Sequence, residues 1–375
     1  MASVTPNAGA PQPQDERLIS LDALRGFDMF WIIGGESIAH AAATLTGWAW
    51  LVWLSGQLHH PEWHGFAVYD LIFPLFLFIA GVAMPFSFEK RLERGDSKQD
   101  LYRHAILRGL LLVLLGMIYN GLLKFDWANM RYPSVLGRIG LAYLFAALIV
   151  LNTGLRGRLL WIVGLLVGYW AALKFVPVPG FGAGDLAPGH TLTDYIDRLL
   201  IPGKLYRGDR DPEGLLGTVP AIATCLAGVV TGQLLASDRA SGYVKTIIMV
   251  IAGLACLGLA RLWNLDFPIN KNLWSSSFVL HCAGWSLLLV ALFYLVIDVW
   301  RLRAWTLPLV VIGSNSILIY MALRFIDFDH TAHFFFDGAL GHTGEYRPLL
   351  WAIAVLFIEW VLLYLLYRKR IFLKI

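Results

Sequence analysis

Charge is scarce in this chain. Of its 375 residues only 15% are Asp, Glu, Lys or Arg, and 58% are apolar. An ordinary soluble domain carries about 25% charged and roughly 45–50% apolar residues. Cysteine is scarce too: Cys225, Cys256 and Cys282 all fall inside apolar runs, without the spacing of metal ligands. They read as small buried hydrophobes, and they give no disulfide framework. No internal repeat stands out. Lys and Arg are absent from 44–65. The formal net charge of +4 marks no basic surface, so no nucleic-acid partner is expected. Polar sequence is confined at the start to 1–16, a Pro-rich stretch read as a flexible cytoplasmic tail.

What is abundant is apolar sequence in runs of about 18–25 residues, the length that crosses a bilayer. The fold class expected is therefore all-α, a polytopic integral membrane protein with about ten transmembrane helices. Spans are predicted near 18–43, 66–88, 104–123, 133–151, 158–176, 216–236, 242–262, 274–300, 305–326 and 347–367. Ala39 and Ala41 would suit a signal-peptide cleavage site, but Asp22, Arg25, Asp28 and Glu36 interrupt that stretch. It reads as a retained first span. A single transmembrane domain over 17–370 and a cytoplasmic C-terminal end at 371–375 complete the organisation. Lys90, Arg91, Arg94, Lys98 and Arg103 crowd the second loop, and Arg368, Lys369, Arg370 and Lys374 the tail. Positive residues stay inside, so both termini are expected in the cytoplasm.

Several polar residues are not explained by hydropathy. Asp22 and Arg25, three apart, can share a helix face as a structural ion pair, and Asp28 could join them. Glu36 lies deeper, with no basic residue nearby in sequence, and suggests a functional cavity. His59, His60, Glu62 and His64 crowd the loop before the second span. They could be a solvated loop, a metal site or a catalytic histidine; helical ligand spacing and a second cluster are lacking for a metal. Asp70, ten residues after His60, could orient a histidine ring. Pro74 is expected to kink the second span. Polar clusters recur on the predicted outer side at Arg131–Arg138 (RYPSVLGR), Asp211–Thr218 (DPEGLLGT) and Pro268–Trp274 (PINKNLW). Gly313–Ser316 (GSNS) lies in the ninth span. Each alone could be a helix cap or an interface anchor, but together they suggest a shared external polar site.

Those clusters, in that order, resemble the transmembrane acyltransferase family of heparan-α-glucosaminide N-acetyltransferase, in its bacterial NagX-like branch. Arg17–Gly26 (RLISLDALRG) is similar to the family's first-span signature and Trp63–Pro74 (WHGFAVYDLIFP) to its second-span motif. The later clusters and Asn315–Leu318 match in character and order, and the likeness covers about 17–370. The resemblance implies acetyl transfer from cytoplasmic acetyl-CoA to the amine of an external glucosamine-type sugar. It implies His60 as the catalytic histidine, with His59 and His64 as neighbouring alternatives, Asp70 assisting and Glu36 lining the acceptor site. Glu36 departs from the amide of the animal enzymes. Basic residues at the inner mouth, Arg25, Arg108, Arg239 and Lys245, are candidates for the CoA phosphates, with Arg103 also available. Arg131, Arg138, Glu213, Asn270, Lys271 and Asn315 are candidates for the acceptor. The partners implied are acetyl-CoA, an amino sugar and the lipid bilayer of a bacterial inner membrane. No metal is expected, and a homodimer is left open. The competing reading is a secondary transporter of amino sugars or their oligomers, which buried carboxylates would also suit.

Overall fold

The computed structural model describes residues 18–373. The expected tail at 1–16, Arg17 of the opening motif and Lys374 lie outside the described residues. Within them the chain is helical, with two isolated bridges, Arg131–Gly203 and Val178–Gly182. Hydrocarbon offers backbone amides no partner, so each apolar run must satisfy its own hydrogen bonds as a helix.

The first helix runs Ile19–Phe30 (α1), passes through a π segment at Trp31–Gly35 and continues as Glu36–Thr46 (α2). A short helix, Ala49–Gln57 (α3), and a 3-10 turn, Val68–Leu71, lead into Ile72–Glu93 (α4). Then follow Lys98–Tyr119 (α5), Val135–Asn152 (α6), Leu155–Phe175 (α7) and a short helix, Leu192–Leu200 (α8). Thr218–Ala236 (α9), Gly242–Trp263 (α10) and Ser276–Phe293 (α11) come next. The last are Leu307–Ser314 (α12), Ser316–Phe325 (α13), Phe328–Leu340 (α14) and Arg347–Arg368 (α15).

The protein is a polytopic membrane protein. Among the described residues eight helices are long and apolar enough to cross a bilayer: α4 to α7, α9 to α11 and α15, three of them with short extensions. The pair α12 and α13 passes the same test jointly but is bent by 69°. These nine fall where spans were predicted. The tenth predicted span falls on α1 and α2, which are kinked at Gly34 and are not among the helices that pass this test. Its charge sets it apart from the others, with Asp22, Arg25, Asp28 and Glu36 all on it.

Two expectations about shape are corrected. Pro74 falls in the first turn of α4, where a missing N–H costs little, and the helix continues to Glu93. The ninth span is broken at Asn315, whose backbone leaves helical geometry. Its side-chain amide donates to the Ile371 carbonyl at 2.9 Å, and its oxygen accepts from the Leu373 N–H at 3.1 Å.

Helix α4 is central, with 72% of its apolar window buried, against 17% for α15 at the lipid-facing edge. It crosses α9 closely: a Cβ on Gly81 would stand 2.1 Å from the Cys225 carbonyl oxygen, and one on Gly228 2.1 Å from that of Phe78. The first helix seats against α12 in the same way, Gly26 on Leu309 and Gly313 on Asp22. Alternation of the helices gathers the loops 58–67, 120–134, 176–217 and 264–275 at one end, here the site end. The opposite, basic end carries Lys90, Arg91, Arg94 and Lys98 around the turn from α4 to α5.

Candidate active site

A cavity of about 550 Å³ opens at the site end. Its deeper wall is apolar, from Met29, Ile32, Phe73, Phe76, Ile139 and Ile317, and its rim is polar. His60, Asp70, Arg131, Glu213 and Lys271 all line it. In the sequence these five lie in four separate stretches, His60 and Asp70 sharing one and Arg131, Glu213 and Lys271 each in its own.

The loop sequence explains how the first pair meets. After α3 the chain turns at Pro61 and returns, and the Val68 N–H donates to the Gln57 side chain at 3.4 Å. Ala67 opens the 3-10 turn. Asp70 closes it by accepting the Ala67 N–H on Oδ2 at 3.0 Å. Its other oxygen, Oδ1, accepts from His60 Nδ1 at 2.7 Å. A carboxylate only accepts, so the proton of the neutral ring sits on Nδ1 and Nε2 keeps its lone pair. Asp70 is buried while the His60 side chain is 49% exposed. Lys271 completes the group, 3.4 Å from Asp70 Oδ1 and 3.2 Å from His60 Nε2.

The three histidines of this loop part company. His59 Nδ1 lies 2.9 Å from the Ser55 carbonyl. His64 Nδ1 meets the Asn270 amide at 3.1 Å, and burial holds its pKa below the ordinary range. Among the described residues no group of three or more His, Cys, Asp and Glu side chains comes together as a metal site.

Glu36 is not alone, as the sequence had suggested. His40, one turn on, brings Nε2 to 3.4 Å from Glu36, and the Tyr69 hydroxyl faces the same carboxylate. Tyr69 in turn lines the cavity and lies 5.0 Å from the His60 ring. Glu36 thus stands one residue behind the wall.

On the far side of the cavity Arg131 reaches across to the 211–213 turn. Nε and Nη2 form a fork on Asp211 at 2.8 and 2.6 Å, and Nη2 also bonds Glu213. Burial works against the Arg131 charge, but the two carboxylates outweigh it and hold its pKa above the usual range. The ring of Tyr206 lies 4.6 Å from the guanidinium.

The remaining candidates lie elsewhere. Arg138 is buried, donating to the Gly214 carbonyl at 3.0 Å with the Trp274 ring 5.1 Å away. Asn270 is buried and braces the 268–275 loop, its oxygen accepting the Leu273 N–H at 3.0 Å. Asn315 ties down the C-terminal residues, as described above. None of Arg25, Arg108, Arg239 and Lys245 lines the cavity. Arg25 pairs with Asp22 at 3.3 Å, and Arg108 stands 4.4 Å from the Tyr143 ring. Lys245 is buried against the Leu235 carbonyl at 2.7 Å, and Arg239 is exposed.

Sequence reasoning missed Tyr69, Tyr206, Asn272, Ser316 and Tyr320, all on the cavity wall. Tyr69, Asn272 and Ser316 lie inside motifs already singled out, so their neighbours were the available signal. Tyr206 comes from a long loop and had none.

Comparison with known proteins gives a consistent result. A family model described as a domain of unknown function (DUF5009) matches residues 17–166. Heparan-alpha-glucosaminide N-acetyltransferase of Homo sapiens is 32% identical over 374 residues, covering 84% of this chain and 55% of its own length. The Mus musculus protein of the same name is also 32% identical, over 84% of this chain and 56% of its own. The chain therefore spans about half the length of the curated relatives it matches.

Proposed function

This chain belongs to the heparan-α-glucosaminide N-acetyltransferase-like family, and from that premise we propose that it transfers an acetyl group from acetyl-CoA to the amine of a glucosamine-type sugar. The observation that carries the reading is the His60–Asp70 pair at the cavity wall, 2.7 Å apart. Acyl transfer to an amine needs a group that takes a proton near neutral pH as the new bond forms. Imidazole suits that task, and a buried carboxylate on Nδ1 fixes the ring with Nε2 toward the cavity.

The cavity supports the two substrates by its chemistry. Its volume falls in the range of small-molecule sites. The apolar wall suits an acyl chain arriving from within the bundle, and the polar rim of Arg131, Glu213 and Asn272 suits sugar hydroxyls. Glu36, behind Tyr69, adds negative charge that favours an acceptor arriving as a cation. The donor's nucleotide would enter at the basic end. Arg91 lies about 22 Å along α4 from Phe76 at the cavity floor. Of the four cations named for the phosphates, Arg239 is the exposed one. The site end then faces outside, and the bilayer is that of a bacterial inner membrane.

The test is acetyl transfer by the purified protein in detergent or nanodiscs, with acetyl-CoA and a panel of amino sugars. The expected products are free CoA thiol and the N-acetyl sugar, detected by mass. A folded protein that acetylates no member of the panel overturns the reading. Amino-sugar uptake by proteoliposomes without acetyl-CoA would put a transporter in its place.

A further inference from the structure

The cation nearest the proposed base is Lys271. Its Nζ lies 3.2 Å from His60 Nε2, 3.4 Å from Nδ1 and 3.4 Å from Asp70 Oδ1. Nearly equidistant from the two ring nitrogens, the ammonium stands over the face of the imidazole and beside Asp70, within the cavity wall.

This placement is built by the loop. Ser275 Oγ accepts the Asn270 N–H at 3.0 Å, Asn270 accepts the Leu273 N–H, and the Asn270 amide reaches His64. The Gly65 N–H donates to the Ile269 carbonyl at 2.9 Å, tying the lysine's loop to the histidine's. The next residues of the loop are fixed too. Trp274, in a left-handed conformation costly for a bulky residue, is buried against Phe73 and Phe278. A cation held this firmly against a histidine calls for a use. Arg131, across the cavity, is already engaged by Asp211 and Glu213.

We propose that Lys271 is the electrophilic group of the acyl transfer. In the resting site its ammonium rests against the His60 ring and Asp70, and with substrates bound it donates to the carbonyl oxygen of the thioester. The inference rests on the acetyltransferase reading above. The acceptor gives up its ammonium proton to solvent and attacks as the free amine, and His60 Nε2 takes the second proton its nitrogen loses as the C–N bond forms. The carbonyl π pair moves onto oxygen, where a Lys271 N–H meets it. On collapse the C–S bond breaks, and the leaving thiolate takes the proton from the imidazolium. Lys271 keeps its own protons throughout. Burial holds the Lys271 pKa below the ordinary lysine range, with the charges of Asp70 and Glu213 opposing that shift.

Three measurements test this. Removal of one oxyanion donor typically costs about 10²–10³ in kcat. Lys271→Met should therefore lose kcat on that order, with KM for both substrates little changed and the melting temperature retained. Lys271→Arg, which keeps a cation, should recover part of it. Independently of turnover, diethyl pyrocarbonate should modify His60 severalfold faster in Lys271→Met at pH 8, because the ring loses the positive charge that lies against it and becomes the better nucleophile. The rate is read on the His60 peptide by mass spectrometry. A Lys271→Met enzyme with undiminished kcat, or with only a raised acceptor KM, overturns the proposal. So does an unchanged His60 modification rate, or stoichiometric acetylation of Lys271 by acetyl-CoA. Absence of turnover in the wild-type protein would count against the proposed activity, whereas the modification rate reads the contact of Lys271 with the His60 ring by itself.

Discussion

At the scale of single residues the site separates what is shown to substrate from what is held. His60 is half exposed and Asp70 is not, so the ring can be changed with little loss of packing. His60→Ala is expected to cut acetyl transfer by about 10²–10⁴-fold, while melting temperature stays near wild type. His59→Ala and His64→Ala are the controls, and loss of activity in either with His60→Ala still active would move the assignment. Arg131 is the opposite case. Its two carboxylates are nearly inaccessible, so Arg131→Ala strands two negative charges and should cost about 3–5 kcal/mol in denaturant unfolding. Asp197 on α8 carries a pH dependence. Burial pushes its pKa up to about 7, against the Leu215 N–H and the charge of Arg138, with Asp211 and Asp194 adding to the rise. A carboxyl with a raised folded pKa binds more protons folded than unfolded, so stability falls as pH rises from about 4 to about 7. Asp197→Asn should flatten that slope and stabilise the protein at pH 8 by on the order of 1–3 kcal/mol. An unaltered slope in thermal melts from pH 5 to 8 would refute it. The ten-residue spacing of His60 and Asp70 was legible because one loop joins them. The meeting of Arg131 with Asp211, or of Glu36 with Tyr69, was not, because partners far apart in the chain are brought together only by helix packing.

At the scale of elements, glycine seams set how closely helices approach. A Cβ on Gly26 would lie 1.8 Å from the Leu309 carbonyl oxygen, so Gly26→Ala must push α1 off α12. The expected cost is about 1–3 kcal/mol, together with weaker substrate use, since Met29 on α1 forms part of the cavity wall. Gly164→Ala, on α7 with open space around it, is the control and should be neutral or slightly stabilising in the same melts. Long apolar helices were readable because a bilayer fixes their length and composition. Helices α3, α8 and α14 fall between the predicted spans, being too short for a spanning window to register. The break in the ninth span also escaped the sequence: Asn315 stands out there, but its bond partner among the C-terminal residues lies 56 positions away.

At the scale of the whole molecule, the two ends differ in charge. Impermeant maleimide should label Glu62→Cys on intact cells and Arg94→Cys only after permeabilisation, in a background free of Cys225, Cys256 and Cys282. The reverse pattern would invert the orientation and remove the route for a cytoplasmic donor. The packing of α1 on α12 has one more consequence, for the order in which the molecule can be made. Leu24 leaves the ribosome about 285 residues before Leu309, which at roughly 5–20 residues per second is about 15–60 s. The helix that carries Asp22, Arg25 and Asp28 must wait through that interval without its permanent neighbour. During that interval an insertase or a membrane chaperone has time to act on it.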